Sequence, residues 1–302
     1  MIKECAKRKL IITTFALLVF FITLSFPKTE DEIKNVTISY NSGNAWPIYL
    51  LDNSSLVART SMVVQNKETI DLAKEIIEIL TIDHAKSEYI PSVFTPVIPK
   101  DTEILSIDIQ DKTLKINFNK NILNVPSESA EKMIECLTYS LTEIEGIEGI
   151  ILYVEGDLLE KVPNTEIKLP SILTRDIGVN KAYDVKNLKE TTKTTVYYIA
   201  KDGDISYYVP VTLLSNNEKD KVEIIIDRLK SKPNEQTNLM SYLNASTELT
   251  NYEILEKEVT LSFNDYLYEG LASDELKEEV KYSISLSVMD TLNVETVTFI
   301  ES

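Results

Sequence analysis

From residue 46 onward the hydrophobic pattern switches between a period of two and a period of three to four. Ile48–Leu51 and Leu56–Val64 read as a strand pair around the turn Asp52-Asn53-Ser54. Asn66 is placed to cap a helix over Lys67–Ile82, with Ile70, Ala73, Ile76, Ile77 and Leu80 along one face. A loop punctuated by Pro91, Pro96 and Pro99 comes after it. Next is a hairpin in which Leu105, Ile107 and Ile109 point one way, the chain turns at Gln110-Asp111-Lys112, and Leu114, Ile116 and Phe118 return. Pro126-Ser127 opens a second helix whose stripe is Ala130, Met133, Ile134, Leu137, Leu141 and Ile144. Gly146 ends it, and Ile147–Val154 is a closing strand, nearly all apolar and therefore central.

The same order then returns. Strands are expected at Val196–Ala200 and Ser206–Leu214 around Asp202-Gly203, and a helix at Glu218–Lys230 capped by Asn217. A hairpin is expected at Asn251–Leu255 and Val259–Phe263, then a helix over Ser273–Asp290 and a last strand at Glu295–Ile300. Short segments match in collinear order. Thr113–Asn119 matches Glu258–Asn264 at an offset of 145, Ile48–Asp52 matches Val196–Ala200 at 148, and Ile150–Glu155 matches Thr296–Glu301 at 146. The expected fold is α+β: two tandem β-β-α-β-β-α-β modules, each a mixed sheet with helices on one face. Residues 46–175 form the first module, 176–194 a linker and 195–302 the second. Residues 155–194 show little periodicity and divide between the first module and the linker.

The N-terminus has neither period. Residues 1–9 carry Lys3, Lys7, Arg8 and Lys9 against Glu4, and Leu10–Phe26 runs seventeen residues without a charge. As a helix it spans roughly 25 Å, close to the bilayer core once Lys9 and Lys28 reach the interfaces. It reads as an uncleaved transmembrane signal anchor with the basic end in the cytoplasm. A cleaved secretory signal is the alternative, and Thr23-Leu24-Ser25 is the nearest small-x-small site. Residues 27–45 are a polar tether, and both modules lie beyond it, outside the cytoplasm.

Charge narrows the function. The chain carries a formal −17, and residues 1–27 carry +3, so the rest carries −20. A body that acidic excludes a general nucleic-acid binder. It either keeps the domains solvated or suits a basic partner. One His and two Cys leave no material for an ordinary zinc site, an iron–sulfur cluster or a disulfide scaffold. Seven Gly include no phosphate-binding loop.

Candidate chemistry is sparse. His84 lacks a nucleophile in a recognisable setting and reads as a helix-end residue. Cys136 lies beside the apolar stripe and reads as a small buried hydrophobe. Asp108, Asp111, Glu155, Asp157, Asp202 and Asp204 offer no marked acid–base pair, and two of them sit in hairpin turns. Asp202-Gly203-Asp204 lacks the spaced oxygens of a calcium loop. Tyr197, Tyr198, Tyr207 and Tyr208 alternate across paired strands. Cross-strand packing accounts for them, and a contact surface for a ligand or partner is the alternative. No residue is therefore assigned to catalysis, to a cofactor, to a metal or to partner binding.

The run Ile48–Asp52, the segment Ile98–Ser106, the Asn117-Phe118 strand and Leu137–Thr142 before a Gly-Ile strand resemble the GerMN-domain family. The resemblance covers residues 46–302 and is closer in the first copy, since the second lacks the Pro-x-x-Thr segment. It implies a membrane-attached, extracytoplasmic, non-enzymatic protein of spore-forming bacteria. Such a protein would act in sporulation or germination by module-to-module docking, as in ring-building motifs. The implied partners are envelope or sporulation-complex proteins or further copies of the chain, with the membrane held by the N-terminal helix and no nucleic acid. Family members are often lipoproteins, whereas here no Cys ends the apolar run and a transmembrane helix takes that role. The alternative is an extracytoplasmic module that binds a small ligand or cell-wall polymer between its two copies.

Overall fold

The computed structural model describes residues 45–185, 191–217, 219–231, 238–267 and 277–301. The basic start, the apolar run 10–26, most of the tether and the first part of the helix expected at Ser273–Asp290 lie outside them. Among the described residues no helix is long and apolar enough to cross a membrane. The first repeat runs β1 (Ala45–Asp52), β2 (Val57–Val63), α1 (Thr69–Leu80), β3 (Phe94–Thr95), β4 (Ile104–Gln110), β5 (Thr113–Phe118), α2 (Ser127–Leu141), β6 (Gly149–Val154) and β7 (Asp157–Leu158). After β8 (Ala182–Asp184), the second runs β9 (Thr192–Asp202), β10 (Ile205–Ser215), α3 (Lys221–Lys230), β11 (Leu249–Leu255), β12 (Glu258–Phe263), α4 (Glu278–Leu292) and β13 (Thr296–Glu301).

The expected elements occur in the expected order, with the short strands β3, β7 and β8 added, but the partition into sheets differs. One mixed sheet per module is replaced by three sheets. In each repeat the second hairpin and the closing strand stand apart, as β4-β5-β6-β7 and β11-β12-β13. The hairpin strands are antiparallel and the closing strand is parallel to its neighbour. The first hairpins leave their own repeats and join each other. They form the order β3-β1-β2-β10, with β9 also on β10 and β8 parallel to the end of β10. The seam is antiparallel, with Arg59 of β2 opposite Tyr208 of β10.

Burial explains the join. Ile48, Tyr49 and Leu50 are consecutive and fully buried, and Val196 to Ala200 are buried without a break. Strands apolar on both faces need cover on both. In β9 the alternation serves two interiors: Tyr197 enters the first core, and its neighbours Val196 and Tyr198 enter the second. On β1 and β9, strand N–H groups that face away from β2 and β10 are taken by helix hydroxyls. The Tyr49 N–H donates to Ser140 Oγ of α2 at 2.9 Å, and the equivalent Tyr197 N–H donates to Ser287 Oγ of α4 at 2.8 Å. This satisfies backbone groups that would otherwise template further pairing.

Local chemistry corrects several expected details. The first helix starts at Thr69, not Lys67, and Glu68 precedes it without a side-chain cap. Asn66 instead donates to the buried Glu75 carboxylate. Burial raises the Glu75 pKa, but the Lys86 ammonium and the N–H groups of Asn66 and Gln65 outweigh it and hold this carboxyl low. Asp220, not Asn217, caps α3 through the Val222 N–H. Leu105 does not align with Ile107 and Ile109. A bulge between Ile104 and Ser106 turns it outward, 48% exposed, and the same bulge recurs between Leu249 and Asn251.

Ser140→Ala removes the partner of a buried strand N–H. It is expected to lower the unfolding free energy by about 1–3 kcal/mol, with Ser287→Ala acting alike at Tyr197. Urea midpoints at unchanged slope measure this. A midpoint equal to the wild type for both would refute the sealing role.

Candidate functional site

The strongest concentration of buried polar chemistry lies where the two repeats meet. Tyr49 on β1 and Glu143 just past α2 come from the first copy, and Tyr197 on β9 and Asp290 on α4 from the second. They are equivalent by position, as the matched serine bonds show. The Tyr49 hydroxyl donates to Glu143 Oε1 at 2.8 Å, and the Tyr197 hydroxyl lies 3.3 Å from Asp290 Oδ2. The two hydroxyls are 2.9 Å apart. Like residues touch like residues across an antiparallel seam, so the contact is isologous, with an approximate two-fold axis.

A single segment, Arg175 to Asn180, breaks this symmetry. Arg175 Nη2 donates to Glu143 Oε1 at 2.6 Å and Nη1 to Asp290 Oδ1 at 3.0 Å, joining the equivalent carboxylates of both copies. Its guanidinium carbon also stands over the Tyr139 and Tyr49 rings, 5.0 and 5.8 Å from their centroids. Arg59 adds a second positive charge 3.8 Å from Glu143. Beyond the Arg59–Tyr208 pair, the Asn180 side chain fills the seam. It accepts from the Val57 N–H at 2.9 Å and donates to the carbonyls of Val57 and Pro210 at 2.8 and 2.7 Å. Asn180 has φ +46° and Gly178 φ +73°. A Cβ at Gly178 would also lie 3.1 Å from Thr212, so the tight path requires glycine there.

Burial sets the ionisation of this cluster. It pushes the phenols of Tyr49, Tyr139 and Tyr197 upward, aided by Glu143 at Tyr49 and by Asp290 at the other two. Glu143 is raised by burial but lowered more by Arg175 and Arg59, and ends below the ordinary carboxylate range. Asp290, with a side chain 3% exposed, ends above it, because burial outweighs Arg175. Each acid is committed to a cation and a tyrosine hydroxyl, so the arrangement clamps two folds together and leaves neither acid poised for proton transfer.

The residues considered in the sequence are scattered. His84 accepts from the Lys86 N–H through Nδ1 at 3.3 Å and so caps a short 3-10 turn. Cys136 is fully buried in α2, and its thiol pKa is pushed up by that burial. Asp202 accepts from Asn53 at 2.7 Å, joining the two hairpin turns. Tyr207 donates to Asp52 at 3.1 Å, and the Tyr208 ring packs tilted against that of Tyr282, 5.9 Å between centroids. The tyrosine cluster therefore faces two cores. Among the described residues no group of three His, Cys, Asp or Glu could hold a metal ion. Sequence reading missed Glu143, Arg175, Asn180 and Asp290. The available signal was the repeat itself: Ser140/Glu143 and Ser287/Asp290 share a three-residue spacing and an offset of 147.

Arg175→Met takes the cation from buried Asp290 and leaves Glu143 with Arg59 alone, and is expected to cost about 3–5 kcal/mol in urea denaturation. The two acids also give opposite pH slopes. Glu143, held low in the fold, adds stability above its ordinary value and loses it as pH falls through its folded value. Asp290, held high, has a penalty that disappears as pH falls through its folded value. Asp290→Asn should therefore make the loss of stability between pH 6 and pH 4 steeper than in the wild type, and Glu143→Gln shallower. Equal slopes in all three proteins would contradict this assignment.

The fold has counterparts among known proteins. The family model described as "Sporulation and spore germination" matches residues 47–160 and 195–300, one match per repeat. The chain is 30% identical over 286 residues to the spore germination protein GerM of Bacillus subtilis (strain 168), covering 91% of this chain and 76% of that protein. Its structure is similar to the tandem GerMN domains of the sporulation protein GerM from Bacillus subtilis. The TM-score is 0.77 at 27% identity, over 88% of this chain and 92% of the other. With both repeats matched and nearly the whole chain aligned, this protein belongs to the Germane family of sporulation and spore germination proteins, in its tandem GerMN-domain form.

Proposed function

We propose that the chain is a non-enzymatic, membrane-anchored assembly protein that acts outside the cytoplasm in sporulation or germination. Residues 10–26 hold it in the membrane, 27–45 form the tether, and the modules 46–175 and 195–302, with 176–194 between them, dock within an envelope complex of ring type. The observation that carries this reading is the clamped junction. Arg175, Glu143, Asp290 and the two tyrosines spend the main buried polar cluster on fixing one module against the other. A rigid two-module block suits a part that transmits position rather than one that opens around a substrate. Its internal contact is isologous and therefore closed, so any docking that propagates uses the outer faces. The interior of the junction is filled by rings and a guanidinium, which favours docking over a ligand held between the copies.

Full-length protein in proteoliposomes, mixed with purified envelope-complex proteins of a spore-forming host, should co-sediment with at least one of them. Exchanging single exposed carboxylates, such as Asp157 or Asp204, should leave its activity in sporulation unchanged. A chain that stays monomeric and binds none of them, or a function lost with one such carboxylate, would overturn the proposal.

A further inference from the structure

The segment that joins the repeats builds more than the clamp. Residues 161–194 lie outside both stretches that the family model matches, yet their first half is firmly held. The Val162 N–H donates to the Ile167 carbonyl at 2.9 Å and the Leu169 N–H to that of Glu160 at 2.8 Å, closing a short hairpin. The Asn164 amide ties this hairpin to the carbonyls of Leu123 and Val125 at 2.9 and 2.7 Å. Leu173 then bridges to Ile150. Between this wall and α2 runs a groove of about 500 Å³, within the size range of small-ligand sites. Ile134 and Val162 are the buried part of its lining, and Ile167 and Ile172 line it while 48% and 45% exposed.

The charges here differ from those of the body. Lys181 pairs with Glu131 at 2.7 Å and with the buried Glu135 at 3.3 Å, and Lys132 adds a second cation to Glu135 at 2.9 Å. Lys168 and Lys193 also line the groove, and neither forms an ion pair with a described residue. Lys193 donates to the Asp176 carbonyl at 2.6 Å, a neutral acceptor. Asp176 is the remaining acid of the lining. Among the described residues four lysines thus meet three acids, on a chain whose residues 28–302 carry −20. We infer that this groove binds an amphipathic anion, a single apolar chain that ends in one carboxylate or phosphate. The chain covers Ile167 and Ile172, and the head takes the N–H groups that Lys168 and Lys193 have left. A neutral apolar ligand would strip water from these ammonium groups without replacing it. A polyanion would meet the repulsion of the acidic body, whereas a singly charged head matches the local excess of one cation. A free acid and a single-chain lipid present the same chemistry. The assignment goes beyond the docking role and does not rest on it.

The test uses the full chain in phosphatidylcholine vesicles and a decanoate that carries a photoreactive diazirine at its far end. After illumination, mass spectrometry should place the label on Ile167, Ile172 and their neighbours, and excess plain decanoate should remove it. Lys168→Glu combined with Lys193→Glu, at exposed positions where folding is not at stake, should lower this labelling about tenfold. Ile167→Asp, also at an exposed position, should act alike. Lys112→Glu, an equal type of charge change on the β4–β5 turn and outside the lining, should not. Decylamine with the same diazirine should leave the groove unlabelled. Lysophosphatidylglycerol competing as well as decanoate assigns the ligand to a lipid, and competition by decanoate alone assigns it to a free acid. No label in the groove, equal labelling by the amine, labelling indifferent to the lysine and Ile167 exchanges, or an equal drop with Lys112→Glu would overturn the site.

Discussion

One guanidinium holds this molecule in its observed shape. Arg175 lies between two carboxylates that occupy the same place in two copies of one fold, and both are largely removed from water. A buried carboxylate without a counter-charge is strongly destabilising, so neither module can present its acid to this interface without the cation. Arg175 comes from the segment between β7 and β9, and Arg59 of β2 adds a second positive charge beside Glu143. That segment also carries Asn180, whose amide takes the place of a peptide group in the β2–β10 seam. The connection between the modules is therefore part of their interface.

Symmetry has a consequence for assembly. An interface in which Tyr49 meets Tyr197 satisfies both partners at once and leaves nothing to extend. The shared central sheet is sealed by Ser140 and Ser287, and the seam strands cover each other. Among the described residues β4 and β11 of the small sheets each have a neighbour on one side only.

Much of the local structure was legible. Each described helix and hairpin falls within a few residues of the place its hydrophobic period indicates, because burial of one face is written directly in the spacing of Ala130, Met133, Ile134 and Leu137 or of Val222, Ile225, Ile226 and Leu229. Caps were less legible. Asn66 and Asn217 are good capping residues, but Glu75 and Asp220 compete for the same backbone and amide groups through burial and proximity. The outward turn of Leu105 was hidden because a bulge adds a residue without altering composition. The junction was hardest to see. Arg175 and Asp290 are charged residues in unremarkable surroundings, and only folding brings them together from 115 positions apart.

The sequence by itself determined a duplicated β-β-α-β-β-α-β unit, an acidic body and a charge-free run near the N-terminus. Such features arise from local periodicity and composition, which need no partner. Tertiary structure alone decided that the first hairpins leave their own units to share a sheet, which carboxylates are buried, and which strand edges remain open. Those outcomes depend on satisfying backbone and charged groups across long stretches of chain. A hydrogen bond or ion pair of that kind leaves no periodic trace in the order of the residues.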